Sequence, residues 1–241
     1  MHILLTRPAG RNEPLAGKLA ALGWQSSCCP MVEIVSEPSP AASPLAQADA
    51  AFFVSTNAVD HAARLVDHWP RITYLAVGGA TARALRQQGL QPLTAPRDNE
   101  TTEGIWTLPQ MDRVVGKRFV IVRGNGGREA MAKRLIAEGA EVIYWQVYRR
   151  QLPKLNGLDL AQSWQRRGVN AILATSVEIL QNLFTLLPPE QHPWLTQQLW
   201  LVPVERVADA ARQLGCHQTL VTGGAGDDAI LESIANWKNR Q

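Results

Sequence analysis

The chain has 241 residues, of which 46% are hydrophobic and 19% are charged, a composition typical of soluble globular proteins. That length suits one large domain or two small ones, and the composition excludes the disordered and fibrous classes. The formal net charge of +3 is spread along the chain without a run of like charges, which argues against a nucleic-acid-binding arm. Any polyanionic ligand would therefore have to be held in a local cleft.

The cysteines and the apolar runs bear on where the protein works. Cys28, Cys29 and Cys216 form no Cys-x-x-Cys pair, which disfavours a disulfide framework and a zinc site and indicates a reducing compartment. The apolar run at 3–5 is too short for the core of a signal peptide, and no 18 apolar residues run together. We therefore expect a cytoplasmic protein that neither spans a membrane nor binds nucleic acid.

Short apolar runs alternate with stretches of helical periodicity along the whole chain. The predicted strands are 3–6, 51–55, 74–77, 118–122, 141–145, 171–175, 199–202 and 219–221. The predicted helices include 15–22, 80–88, 128–138 and 207–214, each followed or ended by a glycine that favours a helix C-terminus: Gly23, Gly89, Gly139 and Gly215. Strands that alternate with helices predict parallel sheets covered on both faces, so the predicted fold class is α/β.

The sequence also repeats itself. The matched pairs are Gly23 with Gly139 and Arg7 with Arg123 at an offset of 116, Gly89 with Gly215 at 126, and Ser55 with Ser176 at 121. Three matches in the same order, at nearly the same offset, indicate two diverged copies of one α/β unit.

Ligands of open α/β sheets bind beyond the carboxyl ends of the strands, where helix N-termini present free N–H groups. Here those loops are rich in glycine and hydroxyl residues, in the segments 6–8, 55–57, 78–81, 123–127, 175–176 and 222–226. Such loops suit several carboxylates or phosphates at once. The alternatives are structural, because Ser55 and Thr56 could be helix N-caps only, and Gly124, Gly126 and Gly127 could be turn glycines.

Standard nucleotide-binding and catalytic motifs are absent from the sequence. Glu129 stands where a G-x-G-x-x-G fingerprint needs its last glycine, and Arg128 before it supplies no P-loop lysine. The five histidines show no His-x-x-x-His metal spacing, and no serine lies in a G-x-S-x-G elbow. An enzyme with this sequence would work mainly by holding a reactive substrate in shape.

An ordered set of segments resembles the uroporphyrinogen-III synthase family. They are Leu4-Leu5-Thr6-Arg7-Pro8, Phe53-Val54-Ser55-Thr56-Asn57-Ala58-Val59, Val77-Gly78-Gly79-Ala80-Thr81-Ala82, Val122-Arg123-Gly124-Asn125-Gly126-Gly127-Arg128-Glu129 and Val147-Tyr148-Arg149-Arg150. The similarity runs over nearly the whole chain in the right order, and the length fits the family.

The resemblance implies two similar flavodoxin-like or Rossmann-like parallel-sheet domains joined by a two-stranded hinge. One domain would comprise residues 1–34 and 152–241 and the other residues 35–151, with antiparallel hinge segments near 31–37 and 146–152. Pro38-Ser39-Pro40 and Pro153 punctuate the two crossings, which agrees with this division. The active site would lie in the cleft between the domains.

Enzymes of the family convert hydroxymethylbilane, a linear tetrapyrrole with acetate and propionate groups, to uroporphyrinogen III with loss of water and inversion of ring D. The implied chemistry is departure of the terminal hydroxyl to give an azafulvene, attack by ring D to form a spiro intermediate, then fragmentation and reclosure. The pyrrole nitrogens supply the electrons, so the resemblance implies neither cofactor nor metal. It also implies a monomer that takes its substrate by transient handover from the upstream synthase.

The resemblance places the family's conserved tyrosine on Tyr148, whose phenol would donate a hydrogen bond or proton to the leaving hydroxyl; aromatic packing at the domain junction is the alternative. Arg7 and Arg123 are expected charge partners of propionates, or caps of their own loops. Many relatives carry Gly-Pro-Thr-Thr where this chain has Pro203-Val204-Glu205-Arg206, so Arg206 would offer a charge instead of a hydroxyl. The other expected substrate contacts are Ser55, Thr81, Gly124, Asn125, Ser176, Thr222 and Gly223.

Two other functions stay open at this point. A non-catalytic two-domain clamp for an anionic small molecule would bind its ligand without turning it over. A phosphosugar or nucleotide enzyme on a flavodoxin-like fold would bind a nucleotide tightly.

Overall fold

A computed structural model describes residues 1–38, 43–96, 99, 102–126 and 129–239; Ser39, Pro40, Gly127 and Arg128, all named above, lie outside them. In chain order the strands are β1 (His2–Leu5), β2 (Gln25–Cys28), β3 (Glu33–Ser36), β4 (Ala50–Phe53), β5 (Thr73–Ala76), β6 (Leu93–Thr94), β7 (Arg118–Gly124), β8 (Glu141–Gln151), β9 (Ala171–Leu173), β10 (Leu199–Val202) and β11 (Gln218–Val221).

The α-helices are α1 (Glu13–Ala21), α2 (Thr56–Ala63), α3 (Gly79–Gln87), α4 (Thr102–Ile105), α5 (Ala130–Ala137), α6 (Gly157–Arg166), α7 (Val177–Leu186), α8 (His192–Gln197), α9 (Glu205–Gln213) and α10 (Asp227–Lys238). Short 3-10 turns lie at Pro44–Gln47, Pro109–Met111 and Pro189–Gln191. Within the described ranges, no helix combines the length and the apolar character needed to cross a bilayer.

The chain forms two compact units, which we call unit 1 (Met1–Glu33 with Gln151–Gln241) and unit 2 (Ile34–Arg150). The sheet of unit 1 has five strands in the order β2-β1-β9-β10-β11, and all neighbouring pairs are parallel. In chain order this is the 2-1-3-4-5 arrangement of flavodoxin-like folds.

The sheet of unit 2 has six strands in the order β3-β8-β7-β4-β5-β6. All pairs from β8 to β6 are parallel, and their chain order is the 3-2-1-4-5 arrangement of Rossmann-like folds. The remaining strand, β3, lies at the sheet edge beside β8.

The two sheets have the same spatial arrangement with permuted connectivity. In unit 2, β8, β7, β4, β5 and β6 take the places that β2, β1, β9, β10 and β11 hold in unit 1. These are the strands that the sequence repeat pairs, because Arg7 follows β1 where Arg123 lies in β7, and Ser176 follows β9 where Ser55 follows β4. The strands β1 and β2, which come first in unit 1, therefore correspond to β7 and β8, which come last in unit 2.

Helices cover both faces of each sheet, so neighbouring residues of one strand enter different cores. In β1, Leu4 packs in one core of unit 1 and Ile3 in the other. In β7, Val122 and Ile121 divide in the same way between the two cores of unit 2. Continuous apolar runs of this kind are typical of parallel strands covered on both faces. The predicted α/β class with parallel sheets is confirmed.

One predicted strand is too short. The prediction of 141–145 ends where the apolar run ends, whereas β8 continues to Gln151. Hydrogen bonds hold the polar part in the sheet, since Glu37 N–H donates to the Val147 carbonyl and Asn125 N–H donates to the Tyr148 carbonyl, both at 3.1 Å. Backbone pairing rather than side-chain polarity therefore decides where this strand stops.

Candidate functional site

Each sheet has a topological switch point, where neighbouring strands lead into helices on opposite faces and where α/β folds bind ligands. In unit 2 the switch point lies between β7 and β4, which bring Arg123, Gly124 and Ser55 to one carboxyl edge. In unit 1 it lies between β1 and β9, which lead to Arg7 and Ser176. The fold therefore places several of the predicted substrate contacts at a position suited to ligand binding.

Ser55 links the start of a helix to the phenol of Tyr148. Its backbone is extended at the N-cap of α2, and its Oγ accepts the Ala58 N–H at 3.1 Å. The same Oγ lies 3.2 Å from Tyr148 Oη. Because Oγ is already an acceptor for Ala58, it can give its own proton to the tyrosine oxygen and leave the phenolic proton for a third group. This geometry suits a tyrosine that donates to a ligand.

A β-bulge brings Tyr148 to this position. Arg123 of β7 is paired with Gln146 of β8, but the next residue, Gly124, is paired with Tyr148. The extra residue, Val147, breaks the alternation of the strand, so Val147 and Tyr148 both pack in the same core. A Cβ atom on Gly124 would overlap Cε2 of the Tyr148 ring, so glycine is required for the ring to lie against β7.

His61 of α2 packs against the ring of Tyr148. The two ring centroids are 5.4 Å apart and the planes are tilted by 34°. His61 Nδ1 lies 2.9 Å from Ser36 Oγ. Burial and the charge of Arg64 lower the pKa of His61, against the opposing charge of Asp60. The imidazole is therefore neutral at neutral pH.

Arg123 is a buried cation at the end of β7, with only 6% of its surface exposed. Its Nε donates to the Gly124 carbonyl at 3.2 Å, and its guanidinium carbon lies 5.0 Å from the centre of the Tyr144 ring. Among the residues that the structure describes, no carboxylate forms an ion pair with it. Because a buried charge without a counter-ion is costly, Arg123 is suited to receive an anionic group of a ligand.

Arg7, the repeat counterpart of Arg123, is equally buried but already has partners. Its Nη1 lies 2.7 Å from Asp227 Oδ1, and its Nη2 donates to the Ala225 carbonyl at 2.6 Å. Burial raises the pKa of Asp227, but the hydrogen bond and charge of Arg7, with help from Lys18, lower it below its ordinary value. The geometry favours the structural alternative for Arg7, in which it holds its own loop.

Asn125 uses its side chain to extend the pairing of β7 with β8. Its Oδ1 accepts the Arg150 N–H at 2.7 Å, and its Nδ2 lies 3.4 Å from the Arg150 carbonyl. Both polar groups of the side chain thus contact backbone. In this structure Asn125 fixes the strand that carries Tyr148.

Two of the predicted hydroxyl contacts are buried. Thr222 is 5% exposed, and its Oγ1 donates toward the Val202 and Gly224 carbonyls, at 3.2 and 2.7 Å. Thr81 lies in the first turn of α3 and is buried as well. The Thr222 proton is therefore committed to the backbone of its own unit.

The other predicted residues of unit 1 are more accessible. Ser176 is half-buried and caps α7, where its Oγ accepts the Ile179 N–H at 3.2 Å. Arg206 is exposed in the first turn of α9, and Gly223 is exposed in the loop after β11 with a φ of 70°. All three lie at the carboxyl edge of the unit 1 sheet.

Three residues of these sites were not predicted from the sequence. His61 appeared only as a histidine without metal spacing, and Ser36 and Asp227 belonged to no motif. Their contacts join distant parts of the chain, since 25 residues separate Ser36 from His61 and 220 separate Arg7 from Asp227. Only the order of the strands brings such residues together.

Comparison with known proteins assigns the chain to a family. The family model of uroporphyrinogen-III synthase HemD matches residues 13–232. The chain is 35% identical to the uroporphyrinogen-III synthase of Escherichia coli (strain K12) and 37% identical to that of Salmonella typhimurium. Each alignment covers 97% of this chain and 100% of the relative.

Solved structures of the same description share the fold. Uroporphyrinogen-III synthetase from Helicobacter pylori superposes with a TM-score of 0.68 at 15% identity, over 98% of this chain and 99% of the other. A mutant uroporphyrinogen III synthase from the extremely thermophilic bacterium Thermus thermophilus superposes with a TM-score of 0.61 at 19% identity, over all of both chains. With the match of the family model to most of its length, the chain belongs to the uroporphyrinogen-III synthase family.

Proposed function

We propose that this protein, a uroporphyrinogen-III synthase by family, cyclises hydroxymethylbilane to uroporphyrinogen III and that Tyr148 is the acid that removes the terminal hydroxyl. The observation that carries the assignment of Tyr148 is the contact of its Oη with Ser55 Oγ at the carboxyl edge of unit 2. The reaction is a lyase reaction in haem biosynthesis, with water as the second product.

The chemistry requires one proton to be delivered and one to be returned. The bond between the terminal carbon and its hydroxyl breaks, the pyrrole nitrogen supplies the electron pair, and the hydroxyl leaves as water with the proton of Tyr148. Ring D then attacks the azafulvene, and the spiro intermediate fragments and recloses. In the final step the ring carbon that closes the macrocycle loses its hydrogen as a proton. This proton balances the one that Tyr148 donated to the leaving water. Ser55 Oγ lies 3.2 Å from the phenol oxygen, and by donating its proton there it would stabilise the negative charge that develops.

Arg123 supplies the positive charge at the same edge. Its buried guanidinium has no carboxylate partner among the described residues, and the substrate brings acetates and propionates. A substrate carboxylate would complete the pair and hold the tetrapyrrole in a folded shape beside Tyr148. Gly124 contributes by the close approach that it allows to the Tyr148 ring.

The accessible groups of unit 1 are the further proposed contacts. Ser176, Arg206 and Gly223 offer a hydroxyl, a charge and a backbone amide to substrate carboxylates. Thr81, Asn125 and Thr222 would act by holding their loops, and an interdomain site stays a prediction.

We also propose that the enzyme works without a cofactor, as a monomer in the cytoplasm, and receives its unstable substrate by handover from the upstream synthase. The state of the cysteines supports the compartment. Cys28, Cys29 and Cys216 are free thiols, and burial raises the pKa of Cys29 to about 11 and that of Cys216 to about 12. The two buried thiols are therefore unreactive, and it is the exposed free thiol of Cys28 that suits a reducing environment.

The decisive experiment is an assay of product isomers. The purified protein is incubated with freshly made hydroxymethylbilane, and the porphyrins are oxidised and resolved by chromatography. We expect the type III isomer as the main product. Formation of the type I isomer alone, as in the spontaneous reaction, would overturn the proposal, and saturable binding without turnover would favour an anion-binding clamp.

The role of Tyr148 is tested by Tyr148→Phe, which removes only the hydroxyl. We expect kcat to fall at least about tenfold with little change in the free energy of unfolding, the scale of losing an acid catalyst. Tyr74→Phe is the matched control in the same unit, because the Tyr74 hydroxyl donates to the Pro70 carbonyl at 2.8 Å, away from Ser55. Wild-type turnover in Tyr148→Phe would make Tyr148 a packing residue.

A further inference from the structure

His61 is a buried polar residue that the proposed reaction does not use. It lies on α2, the helix that Ser55 caps, and its ring packs against Tyr148 with centroids 5.4 Å apart. We infer that His61 is a positioning residue: oriented by Ser36, its imidazole holds the Tyr148 ring so that Oη stays at Ser55. The inference rests on the proposed function, since it assigns a residue that acts through the phenol.

The Tyr148 hydroxyl needs such support because its polar contacts are sparse. Within the described part of the chain, its one hydrogen-bond partner is Ser55 Oγ, at the long distance of 3.2 Å. On the β7 side, Gly124 offers only backbone to the ring. Oη lies on the axis of the χ2 rotation, so its position depends on χ1. A single long hydrogen bond restrains the χ1 rotation only weakly, whereas a ring packed on a second ring is confined.

Ser36 gives the imidazole a defined orientation. The χ2 torsion of histidine is itself broad, so an unbonded His61 ring would rotate and would not confine its neighbour. The contact of 2.9 Å between Ser36 Oγ and His61 Nδ1 removes that freedom. Because Ser55 caps the short helix that carries His61, the hydroxyl and the ring of Tyr148 are both contacted from the same element.

Unit 1 lacks this device at the equivalent place. The offset of 121 that aligns Ser55 with Ser176 aligns His61 with Asn182 on α7. Asn182 Nδ2 donates to the Met31 carbonyl at 2.7 Å, which is a structural contact to backbone. At this helix position, therefore, the histidine packed against an aromatic ring occurs in the unit that carries the phenol.

The test is a double-mutant cycle on turnover. We expect His61→Ala to lower kcat about fivefold with KM unchanged, and to have no further effect in a Tyr148→Phe background, where no hydroxyl remains to be placed. Asn182→Ala, the matched control from unit 1, is expected to keep the wild-type kcat. Equal losses of kcat from His61→Ala in both backgrounds, or no loss in either, would overturn the inference.

Two further measurements keep the inference testable if His61→Ala folds poorly. Ser36→Ala keeps the imidazole but frees it, and we expect about a twofold loss of kcat that again disappears without the Tyr148 hydroxyl. The chain has three tyrosines, so ¹³C labelling of tyrosine gives few ring signals, and the Tyr148 signal is assigned by its loss in Tyr148→Phe.

We expect Ser36→Ala to shift the Tyr148 signal and Asn182→Ala to leave it unchanged; an unshifted signal with unchanged kcat would overturn the inference. These outcomes are separate from the fate of the proposed function. A wild-type protein that forms no type III isomer refutes the function, whereas an active wild type with insensitive His61 and Ser36 variants refutes only the positioning role.

Discussion

Units 1 and 2 share one sheet arrangement and the same serine cap, yet a phenol meets that serine in unit 2 alone among the described residues. Ser176 and Ser55 each accept an N–H three residues further on, at 3.2 and 3.1 Å. The offset of 116 places Val32, which is fully buried, where unit 2 has Tyr148. The cap is thus a structural feature of both copies, and the contact with Tyr148 is what makes the unit 2 cap part of the proposed catalytic site.

The arginines at the two switch points also differ between the units, in whether a carboxylate lies beside them. Arg7 is neutralised by Asp227, while Arg123 lies buried with no carboxylate of the described residues beside it. Two buried cations at equivalent positions thus have different costs, because one is compensated inside the fold and the other has no carboxylate partner among the described residues. This difference supports the proposal that Arg123, rather than Arg7, binds a substrate carboxylate.

The largest expected effect comes from removing the counter-ion of Arg7. We expect Asp227→Ala to lower the free energy of unfolding by about 2 to 3 kcal/mol, because it leaves a buried guanidinium without its carboxylate. Arg123→Met, which breaks no ion pair among the described residues, should lower the free energy of unfolding by less than about 1 kcal/mol and raise KM instead. Urea denaturation and steady-state kinetics measure the two effects.

The proposed difference between the two arginines is wrong if Arg123→Met destabilises the protein as much as Asp227→Ala does. That result would mean that Arg123 contributes to stability as Arg7 does and is not held for the substrate. Lys18, whose ammonium lies 3.5 Å from Asp227, is the control: it is half-exposed, so Lys18→Met should change stability by much less.

A smaller effect separates the two serine caps. Ser55→Ala and Ser176→Ala should each lower the free energy of unfolding by about 1 kcal/mol, because each removes one N-cap hydrogen bond. Ser55→Ala should also reduce kcat by about threefold, since Tyr148 loses its hydroxyl partner. A Ser55→Ala variant that loses this stability but keeps the wild-type kcat would show that the contact with Tyr148 has no catalytic value.

The smallest expected effect is a difference in acid sensitivity between the units. Burial and Arg64 lower the pKa of His61, so the unfolded chain takes up the proton first and unit 2 loses stability as the pH falls through about 6.5 toward the folded pKa. The pKa of Asp227 is lowered as well, but a carboxyl contributes stability above its unfolded pKa and loses it only near and below about pH 4.

Urea titrations at several pH values check this order. Replacing His61 by Asn should remove part of the stability loss between about pH 7 and 5, and Asp227→Asn should change the pH dependence only below about pH 5. An effect of Asp227→Asn near neutrality, with none of His61→Asn, would contradict the expected order.

Most of the fold could be predicted because the periodicity of apolar residues in the sequence indicates which side chains are buried. β10 lies at the predicted residues, and most other predicted strands differ by a few residues at their ends. β2, β3 and β6 are not among the predicted strands, because these short segments at sheet edges are largely exposed or partly buried and carry little periodic signal. The part of β8 after Trp145 was not predicted, because its polar side chains interrupt the apolar run. Backbone pairing nevertheless continues the strand there.

The site was predictable as a set of loops but not as a set of contacts. Ser55 and Tyr148 were both predicted, but their contact depends on a bulge that inserts Val147. Arg7 and Arg123 were predicted as equals, because the repeat that pairs them carries no information about Asp227, which lies 220 residues from Arg7.

The sequence by itself determined the α/β class, the duplicated unit and the glycine- and hydroxyl-rich loops at the strand ends, because these follow from local periodicity, composition and internal repetition. The tertiary structure alone decided that Arg7 has a carboxylate partner while Arg123 has none among the described residues, and that Ser55 and His61 both contact Tyr148. The physical reason is that ion pairs, ring packing and hydrogen bonds depend on distances of a few ångströms between residues remote in the chain, and strand order and one bulge set those distances.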